Sequence, residues 1–267
     1  AVPDSMLVTF TPTPTANAGP DQTRCANNSL VQLNGAFTVA TGGVWSGGSG
    51  SFDPSTTNMS AQYTPDAAEV SSGSVTLTMT TTGNGNCVAV NDQVLINFTA
   101  APVVNAGAAV SLCANNAVVT LNGSVTGATG GAWSGGAGSY TPDNTTLNAT
   151  YTPTAAEIAA GTLTLTLSST GNGNCVPVTS NKVITFTPAP TVNAGANGTV
   201  CANNADITLA GSFTLATGAV WSGGTGTYSP NNTTMNAVYT PSAAERTAGT
   251  VILTLTTVGN ANCNAVS

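Results

Sequence analysis

The sequence predicts an all-β fold built of tandem β-sandwich domains in a linear array, and three observations predict it. An 88-residue unit recurs: Cys25, Cys113 and Cys201 differ by 88 (113 − 25 and 201 − 113), as do Cys87, Cys175 and Cys263, Trp45, Trp133 and Trp221, and Tyr63, Tyr151 and Tyr239. A fixed period held through every anchor marks a repeat array. Each unit then divides into roughly six to seven short apolar/polar stretches with turn signals about every 8–12 residues, the pattern of a sandwich. Finally, charged residues make up only 5% of the chain while hydrophobic ones reach 41%. Disorder needs low hydrophobicity or high net charge, so this Thr-, Ser-, Asn- and Gly-rich chain reads as uncharged strand surface.

The middle repeat shows the elements in order. Val103–Cys113 reads as an extended first strand, and Asn115 and Asn116 turn the chain. Residues 117–126 alternate as a strand, Gly130–Gly135 carries Trp133 on a short strand, and Ser139–Pro142 is another. Residues 146–152 alternate with Leu147, Ala149 and Tyr151 on one face. One helical turn follows: Thr154 to Glu157 after Pro153 fits a capping box, as do Asp66 to Glu69 and Ser242 to Glu245. Residues 161–169 give the clearest strand, with Leu163, Leu165 and Leu167 facing one way. Residues 171–174, GNGN, form a tight turn. The last strand spans 178–187, and Pro188 to Pro190 stiffens the junction. Leu121, Trp133, Tyr151, Leu163, Leu165 and Phe186 are the expected core, with their counterparts 88 residues away. Trp45, Trp133 and Trp221 and Tyr63, Tyr151 and Tyr239 are its recurring aromatic centre. This strand count and order are those of an immunoglobulin-like sandwich.

The boundaries follow from the repeat. Residues 15–102, 103–190 and 191–267 are three units, the third without a last strand. Residues 1–14 match residues 89–102 and so read as the last strand of a preceding repeat. The expectation is a window on a longer array, although residues 1–11 could also complete a neighbouring copy.

Several classes of function are disfavoured. The basic residues are Arg24, Lys182 and Arg246, too few for the basic face that nucleic acid requires. No run of about 18 apolar residues offers a membrane span. Histidine is absent, which removes His-based triads and imidazole ligands. The carboxylate common to all repeats, Glu69, Glu157 and Glu245, has a capping role to fill. No metal site, cofactor or catalytic residue is expected. Asn58, Asn97, Asn122 and Asn148 open N-x-S/T triplets, which composition alone explains.

Two cysteines per repeat at fixed positions read as disulfides in an oxidising compartment. In an immunoglobulin-like order the first strand carries Cys113 to one pole, while the antiparallel strand 161–169 carries Cys175 to the other. Eight strand residues span about 27 Å at about 3.3 Å each, and a disulfide tolerates Cα separations of only about 4.4–6.8 Å. That order favours the staggered pairs Cys25–Cys175 and Cys113–Cys263, leaving Cys87 and Cys201 for repeats beyond the chain. The alternative is Cys25–Cys87, Cys113–Cys175 and Cys201–Cys263.

The segments NAGPDQTRCANN, NAGAAVSLCANN and NAGANGTVCANN, each followed by a WSGG strand and a late cysteine (GNGNC in the first two repeats), resemble the PKD-like and immunoglobulin-like repeats of giant surface proteins in Bacteroidota, of which the SprB-type gliding adhesins are the nearest. The resemblance covers the whole chain. It implies export as type IX secretion cargo, display at the bacterial cell surface, and adhesion or filament formation. Asp4-Ser5-Met6 also resembles an O-glycosylation site of that group. The expectation is a structural rod of a surface filament or gliding adhesin. Its partners would be neighbouring repeats, further copies in a filament, and surface polysaccharide or another substratum bound through a tip elsewhere. The alternatives are a glycan-binding module that uses exposed tryptophans and a non-catalytic spacer of a large secreted enzyme.

Overall fold

The structure, a computed structural model, describes residues 3–267. The first repeat runs β1 (Thr15–Asn17), β2 (Gln22–Cys25), β3 (Val31–Gln32), β4 (Ala36–Thr38), β5 (Gly42–Ser46), β6 (Ser51–Asp53), β7 (Gln62–Thr64), α1 (Ala67–Ser72), β8 (Ser74–Thr82) and β9 (Asn91–Thr99). One sheet has the order β2-β9-β8-β5, a second β3-β7-β6, and β1 pairs with β4. This is an immunoglobulin-like sandwich. β8 is antiparallel to β5 and β9, with Trp45 opposite Met79 and Leu77 opposite Val94. The inner faces meet in one core that includes Val31, Leu33, Trp45, Tyr63, Leu77, Met79, Val94, Ile96 and Phe98. Residues two apart face the same side of a strand, which is why Val75, Leu77 and Met79 on β8 all point inward.

The first strand differs from the expected continuous run. β1 pairs antiparallel with β4, Ala16 opposite Phe37, but β2 pairs parallel with β9, Cys25 opposite Thr99. Between them Gly19 takes φ 83° and its N–H bonds Asn17 Oδ1 at 2.8 Å. A left-handed backbone at glycine lets the chain cross from one sheet to the other. The second strand is also broken: its first part, β3, pairs with β7 and its second, β4, with β1.

The second repeat repeats these elements: β10 (Val103–Asn105), β11 (Val110–Cys113), β12 (Val119–Thr120), β13 (Ser124–Thr126), β14 (Gly130–Ser134), β15 (Ser139–Thr141), β16 (Thr150–Thr152), α2 (Ala155–Ala160), β17 (Thr162–Thr170) and β18 (Thr179–Thr187). The expected continuous strand Val103–Cys113 is likewise two, with β11 parallel to β18 and Cys113 opposite Thr187. The expected strand at 146–152 is ordered as a strand only over β16. Leu121, Trp133, Tyr151, Leu165 and Phe186 are buried, whereas Leu163 is half-buried.

The third repeat has β19 (Thr191–Asn193), β20 (Ile207–Thr208), β21 (Ser212–Thr214), β22 (Gly218–Ser222), β23 (Thr227–Ser229), β24 (Val238–Thr240), α3 (Ala243–Ala248) and β25 (Thr254–Val258). Residues 3–14 form no strand, and Ala1 and Val2 of that expected strand lie outside the described residues. The chain comprises two compact units. The first holds residues 1–104, 125–131 and 168–179; the second holds residues 105–124, 132–167 and 180–267.

Candidate functional site: cysteine staples across repeats

The three helices build the first recurrent polar device. Asp66, Thr154 and Ser242 cap α1, α2 and α3, each in a reciprocal capping box with Glu69, Glu157 and Glu245. The same carboxylate does more than cap. Glu69 accepts from Tyr63 Oη at 2.7 Å and from the Ser49 N–H at 2.7 Å, and Tyr63 Oη in turn accepts from the Gly50 N–H at 2.9 Å. Tyr151 with Glu157, and Tyr239 with Glu245, repeat the arrangement. The tyrosines are therefore both core and polar anchor, tying strand, helix and glycine loop together. Gly48 explains its own identity: φ is 69° and a Cβ there would lie 2.7 Å from Glu69 Oε1.

The electrostatics follow this geometry. Burial, then the hydrogen bond to Glu157, push Tyr151 up to about 12, against the opposing Gly138 N–H. Desolvation pushes Glu245 upward, but the Thr225 and Ser242 N–H groups and the Tyr239 hydroxyl outweigh it and hold the carboxyl at about 2. A carboxylate that accepts several amide bonds is stabilised as the anion. Glu245 is thus a stably ionised group that ties helix cap, strand and glycine loop together.

Trp45, Trp133 and Trp221 are 1%, 0% and 1% exposed. Trp133 Nε1 donates to Leu147 O at 3.1 Å and Trp221 Nε1 to Met235 O at 3.4 Å. A ring closed off in this way has no face to offer a sugar. Among the described residues no three His, Cys, Asp or Glu side chains gather as a metal site.

The second recurrent device joins repeats. In the first unit, Cys25 is bonded to Cys175 with a Cα–Cα separation of 4.9 Å. In the second, Cys113 is bonded to Cys263 at 5.0 Å. Cys87 and Cys201 are free. The strand register explains why partners are not taken within a repeat. Cys25 sits beside Thr99 at the end of β9, whereas Cys87 lies in the turn before Asn91, where β9 begins. Nine strand residues, about 30 Å at about 3.3 Å each, separate the two ends.

Asparagines flank each staple. Asn27 Nδ2 donates to Val176 O at 3.0 Å, and the Val176 N–H donates back to Asn27 Oδ1 at 3.2 Å. Asn28 Nδ2 donates to Asn174 O at 3.0 Å, and Asn174 Nδ2 to Thr23 O at 3.1 Å. In the second unit Asn115 does the same with Asn264, Asn116 donates to Asn262 O, and Asn262 donates to Ser111 O. A side-chain amide carries one acceptor and two donors, so Asn27 pairs with the Val176 peptide as a strand neighbour would. Sequence reading missed these asparagines because Asn is also a common turn residue. The signal that could have found them is CANN recurring unchanged in all three repeats.

No protein-family model matches the chain, and no curated protein matches it. Among solved structures, the chain is similar to mouse cadherin-23 EC22–24 at 12% identity, over 92% of this chain and 94% of that one, with a TM-score of 0.39. It is similar to the titin fragment I67–I69 at 8% identity, over 86% and 87%, with a TM-score of 0.37. Protocadherin gamma B7 cadherin domains 1–4 are similar at 11% identity, over 92% and 73%, with a TM-score of 0.38. The immunoglobulin-like assignment rests on the strand order and registers described above.

Proposed function

We propose that this chain is a structural segment of an extracellular surface filament or adhesin, whose repeats act as a load-bearing series rather than as independent binding modules. The observation that carries this reading is the staple of Cys25 with Cys175 and its recurrence as Cys113 with Cys263, each with the same asparagine partners. A disulfide between repeats resists separation of neighbours under force in a way that non-covalent packing alone does not. Persistent disulfides also favour an oxidising location outside the cytosol. The buried tryptophans speak against the glycan-binding alternative. The sequence resemblance narrows the proposal to a gliding-type adhesin exported by a type IX route.

Antibody raised against the 267-residue chain and applied to intact source cells tests the reading. Surface labelling in extended tracks, with loss of adhesion or gliding when the gene is deleted, is the expected result. Antigen accessible only after lysis would overturn it.

A further inference from the structure

The four bonded cysteines follow one another along the chain as Cys25, Cys113, Cys175 and Cys263. The first bonds the third and the second bonds the fourth. The two covalent loops therefore overlap. Cys113 lies inside the loop closed by Cys25 and Cys175, and Cys175 lies inside the loop closed by Cys113 and Cys263. Bonds within repeats would instead give separate loops in single file, joined by one strand of backbone.

The overlap creates three covalent paths in parallel from the Cys25–Cys175 bond to the Cys113–Cys263 bond. Two of them, 25–113 and 175–263, are 88 residues long (113 − 25 and 263 − 175). The third, 113–175, is 62 residues long (175 − 113) and holds β12 to β17 of the second repeat. Each cystine has one sulfur-bearing residue out of reach of solvent: Cys25 and Cys113 are fully buried, whereas Cys175 and Cys263 are half-buried.

We propose that the overlapping staples form a redox-controlled length limiter. No single cut between Cys25 and Cys263 parts the chain, and no single repeat can lengthen it under load. The property rests on the cross-repeat staple of the proposed function and adds what two staples do together. A cut in any one path leaves two others intact, which matters because proteases attack exposed loops first. The two bonds can move apart only as far as the shortest path allows. An extended chain spans about 3.3–3.6 Å per residue, so the 62-residue path reaches about 210 Å. Without the bonds, the 238 residues from Cys25 to Cys263 (263 − 25) reach about 820 Å. Unfolding the first repeat alone adds no length while the path through the second repeat stays folded. A dithiol reductant such as dithiothreitol opens the limiter. Its thiolate bonds to the half-buried Cys175 sulfur and the Cys25 sulfur leaves as a thiolate. The reductant's second thiol then closes its own disulfide and releases Cys175, so two electrons pass to each staple.

The test uses the oxidised 267-residue chain, tethered by its two ends and pulled before and after dithiothreitol. The expected result is that reduction adds about 600 Å of contour length, the difference between the two reaches. A second measurement inserts a protease site between Val88 and Ala89, or between Ala196 and Asn197, positions that are exposed and outside every strand. Cleavage at either site should leave one full-mass band on non-reducing electrophoresis, and reductant should split it into two fragments. In Cys25→Ser the first cut should release residues 1–88, and in Cys113→Ser the second should release residues 197–267. Pulling needs no insertion, so it decides the matter where an inserted site disturbs folding. An oxidised chain that stretches as far as the reduced one would overturn the limiter. Multimer bands before cleavage, with Cys25–Cys175 and Cys113–Cys263 peptides still recovered, would show staples between copies; that outcome overturns the limiter and leaves the pairing in place. A fragment released from the unsubstituted chain, together with a Cys25–Cys87 peptide, would overturn the pairing and the limiter with it.

Discussion

Cys25 and Cys175 are 150 residues apart in sequence and 4.9 Å apart between Cα atoms, so the bond ties the first strand region of one repeat to the last turn of the next. Cys87, a counterpart of Cys175 within the first repeat, sits at the opposite end of β9 from Cys25. Cystine placement therefore reports strand direction: a bond inside the repeat would demand a different topology.

Peptide mapping without reduction should recover Cys25–Cys175 and Cys113–Cys263, with Cys87 and Cys201 alkylated in monomeric material. Reduction should cost stability of about 2–4 kcal/mol per bond, the usual range for a native disulfide. Domains tied in series do not unfold as one two-state unit, so the loss is best read from hydrogen exchange near each staple. Recovery of Cys113–Cys175 would refute the observed strand order as well as the pairing.

Asn27→Ala should loosen one staple without unfolding either repeat. It removes the two hydrogen bonds to the Val176 peptide. A typical net value of about 1 kcal/mol per bond predicts faster exchange of the Val176 amide, with the core of β8 unaffected. Asn27→Asp keeps the acceptor and loses the donor, so it should fall between the two. Unchanged exchange at Val176 in Asn27→Ala would show that the disulfide alone holds the junction.

How legible these features were depends on whether a residue's partner is local. The capping boxes at Asp66, Thr154 and Ser242 could be read because Ncap and N3 lie three residues apart. Alternation on β8 and β17 could be read because a buried face imposes a period of two. The break between β1 and β2 could not: Thr15–Cys25 looks continuous, and only the tertiary competition between β4 and β9 for its two halves divides it. Leu163 was expected fully inside because it keeps phase with Leu165 and Leu167, but it sits near the strand end where the core thins. Asn27 was unreadable for the opposite reason: its partner, Val176, lies 149 residues away.

Trp133→Ala should destabilise the second repeat by about 3–5 kcal/mol, the usual result of truncating a buried aromatic side chain to alanine. The ring is fully buried, so iodide should barely quench native tryptophan fluorescence. Strong quenching before unfolding would restore the sugar-stacking role that burial opposes.

The Tyr–Glu anchors should make stability depend on pH at both extremes, with opposite signs. Glu245 titrates lower in the folded chain, at about 2, than the ordinary 4.5. The folded state therefore binds its proton less readily than the unfolded state does. This contribution is fully present above about pH 4.5 and is lost as pH falls through about 2. Tyr151 titrates higher in the folded chain, about 12 against 10.0. Here the unfolded state releases its proton first, so the contribution is fully present below pH 10 and is lost as pH rises through about 12. Urea midpoints across pH 2–12 should thus stay level near neutrality and fall at both ends. Glu245→Gln should flatten the acid limb for the third repeat, since a neutral amide still accepts from Thr225 and Ser242 but has no proton to take up. Tyr151→Phe should flatten the alkaline limb for the second repeat and lower its neutral-pH stability, because the Gly138 N–H loses its acceptor. An acid limb unchanged by Glu245→Gln would assign that loss of stability to other carboxylates and reduce the Tyr239–Glu245 pair to a packing contact.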